Sequence, residues 1–154
     1  DKPVHSLLEL NRELIATATG KEIRLLVQRN RESKLLTARM IPETDFFNDK
    51  LIRQKLGATL QPLTPELARS LRLNRVQGFL IAEVDENGPA AEADLRPGQI
   101  LQAIDGEVPD DLTQAAKLLF AKKGGERVKL NLIIRRGRGN IYQLFSTATE
   151  VTIR

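Results

Sequence analysis

The sequence predicts an α+β, mainly β fold: a small, partly open β-barrel capped by two to three short helices, preceded by part of a second, similar repeat. Three observations lead there. Short apolar stretches are separated by turn dipeptides, Gly88-Pro89, Pro97-Gly98 and Asp105-Gly106 among them. A helix, a glycine stop and a strand occur twice, so that Leu7 falls on Leu112, Leu14 on Leu119, Ala16 on Ala121, Gly20 on Gly125, Ile23 on Val128 and Leu25 on Leu130 at one constant offset. Both copies then run through a polar turn, "RNRESK" or "RRGRGN", into a further strand.

The repeat divides the chain. Residues 1–42 read as the C-terminal part of a preceding domain of the same kind, truncated at its start; 43–54 read as a polar linker; 55–154 read as one complete domain. Phe46 and Phe47 in the linker are expected to pack at the domain junction, since aromatic rings dominate the burial in small cores. Within the second domain, Leu56 to Leu60 is predicted to be a short strand. Thr64 is an N-cap with Pro65 at the first helical position, so a short helix starts there. "GFLIAEV" at 78–84 is an apolar strand, and "PAAEADL" at 89–95 a short helix. Gly98 permits the tight turn into a strand from Ile100 to Ile104. Residues 111–122 form an amphipathic helix with Leu112, Ala115, Ala116, Leu119 and Phe120 on one broad face. Strands at 127–135 and 141–153 close the domain as a hairpin.

Composition narrows the function. The chain has 154 residues, 41% of them apolar, which is enough for a core. The net charge of +4 is spread along both halves and reads as solubility, so no nucleic-acid partner is expected. No apolar run approaches the roughly 20 residues of a membrane helix, so no membrane insertion is expected. The start, "DKPVHSLLEL", lacks a leading Met and an apolar segment and reads as the beginning of a piece of a longer polypeptide. There is no cysteine and one histidine, His5, on the polar side of a predicted helix start. A Ser-His-Asp triad needs a buried, oriented histidine and a zinc site needs several His or Cys ligands, so no catalytic residue, metal or cofactor is expected in this chain. "GERVKLNL" leads into a strand and offers no helix N-terminus to a phosphate.

The stretch "GFLIAEVDENGPAAEADLRPGQILQAIDGEVPDDLTQAAKLL" resembles PDZ domains of the bacterial kind that follow the protease domain in HtrA/Do-like serine proteases. The resemblance covers 55–154 fully and 1–42 as the second half of a preceding PDZ domain. Two residues depart from it: Asp94 stands where the family usually has Gly, and Gln99 where it usually has Asp. The resemblance implies a peptide-binding module of an oligomeric serine endopeptidase whose protease domain is not in this chain, in an extracytoplasmic, periplasmic setting. Its partners would be C-terminal or unfolded peptides with apolar ends, presented to the protease domain or used to regulate it.

On that resemblance the ligand adds as a strand to the edge of the segment from Leu56 through Gly57, Ala58, Thr59 and Leu60 to Gln61. Its carboxylate would meet the backbone N–H groups of Leu56, Gly57 and Ala58, with Arg53 or Lys55 adding charge. Leu112, Ala116 and Leu119 share one helix stripe and, with Leu56 and Ala58, would form an apolar pocket for the last side chain. Leu119→Glu is therefore expected to abolish binding without unfolding the domain. Other readings are a non-catalytic scaffold or oligomerisation module of an envelope assembly, a tail-specific Ser-Lys protease, and nucleic-acid binding through "RRGRG". The last two have, respectively, no segment left for a catalytic cleft and no interleaved aromatics.

Overall fold

The computed structural model describes residues 2–73, 76–138 and 141–154. The chain forms two compact units, Asp1–Phe46 and Phe47–Arg154.

The first unit holds α1 (Leu7–Ala16), β1 (Glu22–Arg29), β2 (Glu32–Arg39) and α2 (Glu43–Phe46). Ser6 caps α1 by accepting a hydrogen bond from the Glu9 N–H. β1 and β2 form a hairpin whose two central residues, Asn30 and Arg31, both have positive φ (53° and 67°). That left-handed pair matches the twist of the flanking strands. No residue of α1, β1 or β2 is buried.

The second unit begins with α3 (Asp49–Leu56), followed by β3 (Ala58–Pro62), α4 (Pro65–Ser70), β4 (Phe79–Val84), α5 (Pro89–Glu92), β5 (Ile100–Ile104), α6 (Leu112–Phe120), β6 (Arg127–Arg138) and β7 (Ile141–Thr152). The five strands form one antiparallel sheet in the order β3-β4-β5-β6-β7. One sheet face and the helices α3 and α6 enclose the main core, with Ile52, Leu56, Ile81, Leu101, Leu119, Leu130 and Val151 at its centre. The opposite face carries a smaller cluster in which Leu80, Ile100 and Ile133 lie under Ala68 and Leu73.

In keeping with the partly open architecture expected, the sheet does not close: among the described residues β3 and β7 stand at opposite edges, the strands pairing in chain order. The segment expected as a linker, 43–54, holds α2 and most of α3, so that α3 joins three further short helices, α4, α5 and α6, in the second unit. Asn48 accepts from the N–H groups of Lys50 (3.0 Å) and Leu51 (3.3 Å), so it caps α3. Ile52 and Leu56, four apart and therefore on one helix face, are both fully buried. Leu56 thus ends a helix and does not open a strand. Asp94 has φ 58°, which explains why a glycine suits that position; a short polar side chain is the usual substitute in the left-handed region.

Gly57 makes the change from α3 to β3. Its φ is 71°, its N–H donates to the Arg53 carbonyl (2.8 Å), and its own carbonyl accepts from Asp85 N–H (2.8 Å). A Cβ at Gly57 would lie 2.9 Å from the Gly88 Cα, a distance at which the two backbones must part. Gly57→Ala is expected to destabilise the domain by more than about 2 kcal/mol, the left-handed penalty and the overpacking acting together. Chemical denaturation measures this; a loss near zero would show that the α3–β3 junction relaxes freely.

Candidate functional site

Among the described residues β3 bonds only β4, so one of its edges is free. The carbonyl of Gly57 and the N–H of Leu63 both bond across to the β4 side, at Asp85 and Gly78. Backbone groups alternate along a strand, so those of Thr59 and Gln61 also face β4, and those of Ala58, Leu60 and Pro62 face outward. The register agrees from both ends: the irregularity between Thr59 and Leu60 leaves Ala82 as an extra residue in β4, without disturbing the alternation in β3. The free edge offers the N–H groups of Ala58 and Leu60. Pro62 offers a carbonyl only.

α6 is capped by Asp111, whose carboxylate accepts from the Gln114 N–H at 2.7 Å. Ala115, Ala116 and Leu119 point into the core and are fully buried. Leu112 is half-buried and packs at the core's margin. The far end of α6 is held by Asp105. One Asp105 oxygen accepts from the Lys129 N–H (2.8 Å), and the other pairs with Lys122 Nζ (2.5 Å), just past the helix.

The predicted site residues fall into three groups. Ala58, Thr59 and Leu60 lie on the edge strand; the side chains of Ala58 and Leu60 are core, and Thr59 Oγ1 is buried without a hydrogen-bond partner. Leu56 and Gly57 do not offer free N–H groups. That of Gly57 goes to Arg53, and that of Leu56 lies within α3, where the helical pattern takes it up. The end of α3 presents carbonyls there, the negative end of the helix dipole. Arg53 is already paired, donating to Asp85 (2.7 and 3.1 Å) and Glu83 (3.2 Å). Lys55 donates to the Lys122 carbonyl (3.0 Å) and lies 5.9 Å from the centre of the Phe120 ring.

Ala116 and Leu119 are therefore walls of the core in this conformation, with no surface to offer a ligand. A glutamate at 119 would bury a carboxylate, so Leu119→Glu is corrected to an unfolding substitution. Phe47, expected at the domain junction, packs within the second unit. Its ring meets Phe120 edge to face at 5.5 Å, and Lys117 Nζ sits 5.7 Å from it, so it packs on α6. The signal was present, since Phe47 stands directly before the Asn48 cap. The turn of the "RRGRG" hairpin, at Gly139 and Asn140, lies outside the described residues. Among the described residues no group of three or more His, Cys, Asp and Glu is placed to hold a metal ion. No helix among them is long and apolar enough to cross a membrane.

Residues 80–134 match the family model of the PDZ domain. The chain is 35% identical over 82 residues to a probable periplasmic serine endoprotease DegP-like of Halomonas elongata, covering 53% of this chain and 17% of that protein. It is 31% identical over 103 residues to the protein of the same description from Chlamydia trachomatis serovar D, covering 67% and 20%. The chain thus spans about a fifth of the length of these relatives. Among solved structures it is similar to the HtrA-type protease AlgW with decapeptide, with a TM-score of 0.54, 23% identity, and coverage of 86% of this chain and 42% of that one. The fold is PDZ-like.

Asp105 gives a test of what fixes α6. Its carboxyl is held below the ordinary carboxylate value, first by the Lys122 hydrogen bond and next by the Lys129 N–H. A folded-state pKa below the unfolded one contributes stability above the unfolded value, near 4, which is lost as pH falls through the folded value. Asp105→Asn should therefore have a lower Tm than the parent at pH 7, and the difference should shrink below about pH 4. A difference that stays constant down to pH 2 would contradict the ion pair's role.

Proposed function

We propose that the PDZ-like unit at 47–154 captures extended C-terminal segments of other polypeptides by strand addition along β3. The observation that carries this is the free edge with its outward N–H groups at Ala58 and Leu60, whose side chains share the main core with α6. Main-chain hydrogen bonds to that edge supply affinity that does not depend on the ligand's sequence. Pro62 ends the run of donors, so the ladder takes up the last three or four residues of a ligand and no more. Half-buried Leu112 forms the outer apolar wall, while Ala116 and Leu119 hold α6 on the core. The terminal carboxylate meets the Ala58 N–H and the Lys55 ammonium, which keeps donors beyond the one given to the Lys122 carbonyl, whereas the Arg53 charge is answered by Glu83 and Asp85 and the Gly57 N–H is engaged.

The relatives' names suit a role for this unit in substrate selection beside a serine protease domain elsewhere in the polypeptide, in the periplasm. Residues 1–46 fit the C-terminal part of a second such domain. Gly20 and Gly125 share φ 87°, and each donates its N–H to the end of its own hairpin, at Met40 (2.7 Å) and Ile153 (2.8 Å). Leu14 and Ile23 are only half-buried where their counterparts Leu119 and Val128 are fully buried. That difference supports completion of the first unit by further strands or by another copy.

The test is fluorescence anisotropy with labelled peptides ending in Val, Leu or Ala, each as free acid and as C-terminal amide. Acids should bind at least about ten-fold more tightly, a difference of about 1.4 kcal/mol. Leu112→Glu should weaken both forms while leaving the Tm within a few degrees. Equal affinity of acid and amide would remove the carboxylate contact. Failure of both forms to bind a folded chain would leave the scaffold reading.

A further inference from the structure

The sheet face opposite the main core is only partly covered. α4 and the residues after it lie over Ile100, with Leu80 and Ile133 only half-buried and Leu144 exposed. A cleft of about 670 Å³ opens there, within the range that encloses small ligands, about 300–1,000 Å³. Cross-strand pairing fixes its floor: Leu80 lies opposite Ile100, Ile100 opposite Ile133, and Leu144 opposite Arg135 one pleat further on. Directly opposed residues project to the same face, so Leu80, Ile133 and Leu144 make a continuous apolar strip. The cleft's charged lining is three arginines, Arg96, Arg135 and Arg136, against one acid, Asp94. The Arg135 guanidinium donates to the Leu71 carbonyl (3.3 Å), which ties the cover to the sheet. Arg96 and Arg135 are exposed, and Arg135, opposite Leu144, lies on the face of the strip, whereas Arg136 projects to the other face.

The backbone beneath the cleft decides what kind of ligand fits. β4, β5 and β6 are interior strands, bonded on both sides. An extended peptide laid on them would find no backbone partners, and each buried, unbonded amide costs about 1–3 kcal/mol. A ligand whose polar demand is confined to one end carries no such cost. We propose that this cleft is a second binding site, for a single-chain amphiphile with an anionic head. The tail lies along Leu80, Ile133 and Leu144, and the head meets Arg96 and Arg135. The site is separate from the β3 edge and does not depend on the peptide-binding reading.

The test uses the full chain with carbon-13-labelled Ile and Leu methyl groups, titrated with octanoate below its micelle concentration and, in parallel, with 1-octanol. Saturable shifts centred on Leu80, Ile133 and Leu144 are expected, with octanoate bound at least ten-fold more tightly than the alcohol. Arg135→Glu and Arg96→Glu should each weaken octanoate at least ten-fold, and Leu112→Glu should leave it unchanged. Equal affinity for acid and alcohol would overturn the proposal. So would unchanged octanoate binding in both arginine variants, or shifts spread over the exposed leucines of residues 1–46, or shifts that never saturate.

Discussion

A helix and a strand meet at Gly57 with no room between them and the chain beyond. The left-handed backbone there ends α3, and its carbonyl fastens Asp85 at the end of β4. Its missing side chain lets Gly88 approach within the distance a Cβ would occupy. These demands fix where β3 starts and hence which of its backbone groups face outward. A shift of one residue would send Thr59 and Gln61 to the free edge and move Ala58 and Leu60 out of the core. The geometry of the candidate site therefore follows from one backbone conformation and one close approach.

The site joins two kinds of surface. The β3 edge is polar and general, since any extended chain can bond to it. α6 is apolar, and its firmest residues are committed inward. Asp105 clamps one end of α6 through Lys122 and Lys129, and Phe47 packs on its last turn through Phe120. A helix held at that end and half-exposed at Leu112 suits graded apolar selectivity better than a deep, narrow pocket. The paired state of Arg53 has the same tendency, because its charge already answers Glu83 and Asp85. In the proposed site, net attraction for a carboxylate is left mainly to Lys55.

Much of the second unit was legible because its punctuation is chemical. Thr64-Pro65, Gly88-Pro89 and Asp111 mark helix starts in the sequence and in the structure alike. The repeat was legible because Gly20 and Gly125 are needed for the same left-handed turn. α3 was not, since its polar residues outnumber the two that matter, and Ile52 and Leu56 reveal a helix only once Asn48 and Gly57 are seen as its caps. The site was half legible. The strand itself could be read from pattern and its edge position from the resemblance, but the direction of each backbone N–H depends on hydrogen bonds to Asp85 and Gly78, far along the chain. Burial of Ala116 and Leu119 was hidden for the same reason: a helix stripe looks alike whether it lines a groove or a core.

The most direct measurement is amide hydrogen exchange, residue by residue, on the free chain and with a saturating apolar C-terminal peptide. The edge geometry predicts that the N–H groups of Ala58 and Leu60 exchange quickly when free and become protected on binding, while those of Thr59 and Gln61 are protected throughout. Protection of Ala58 and Leu60 in the free chain, or no change at either when peptide binds, would contradict strand addition along β3.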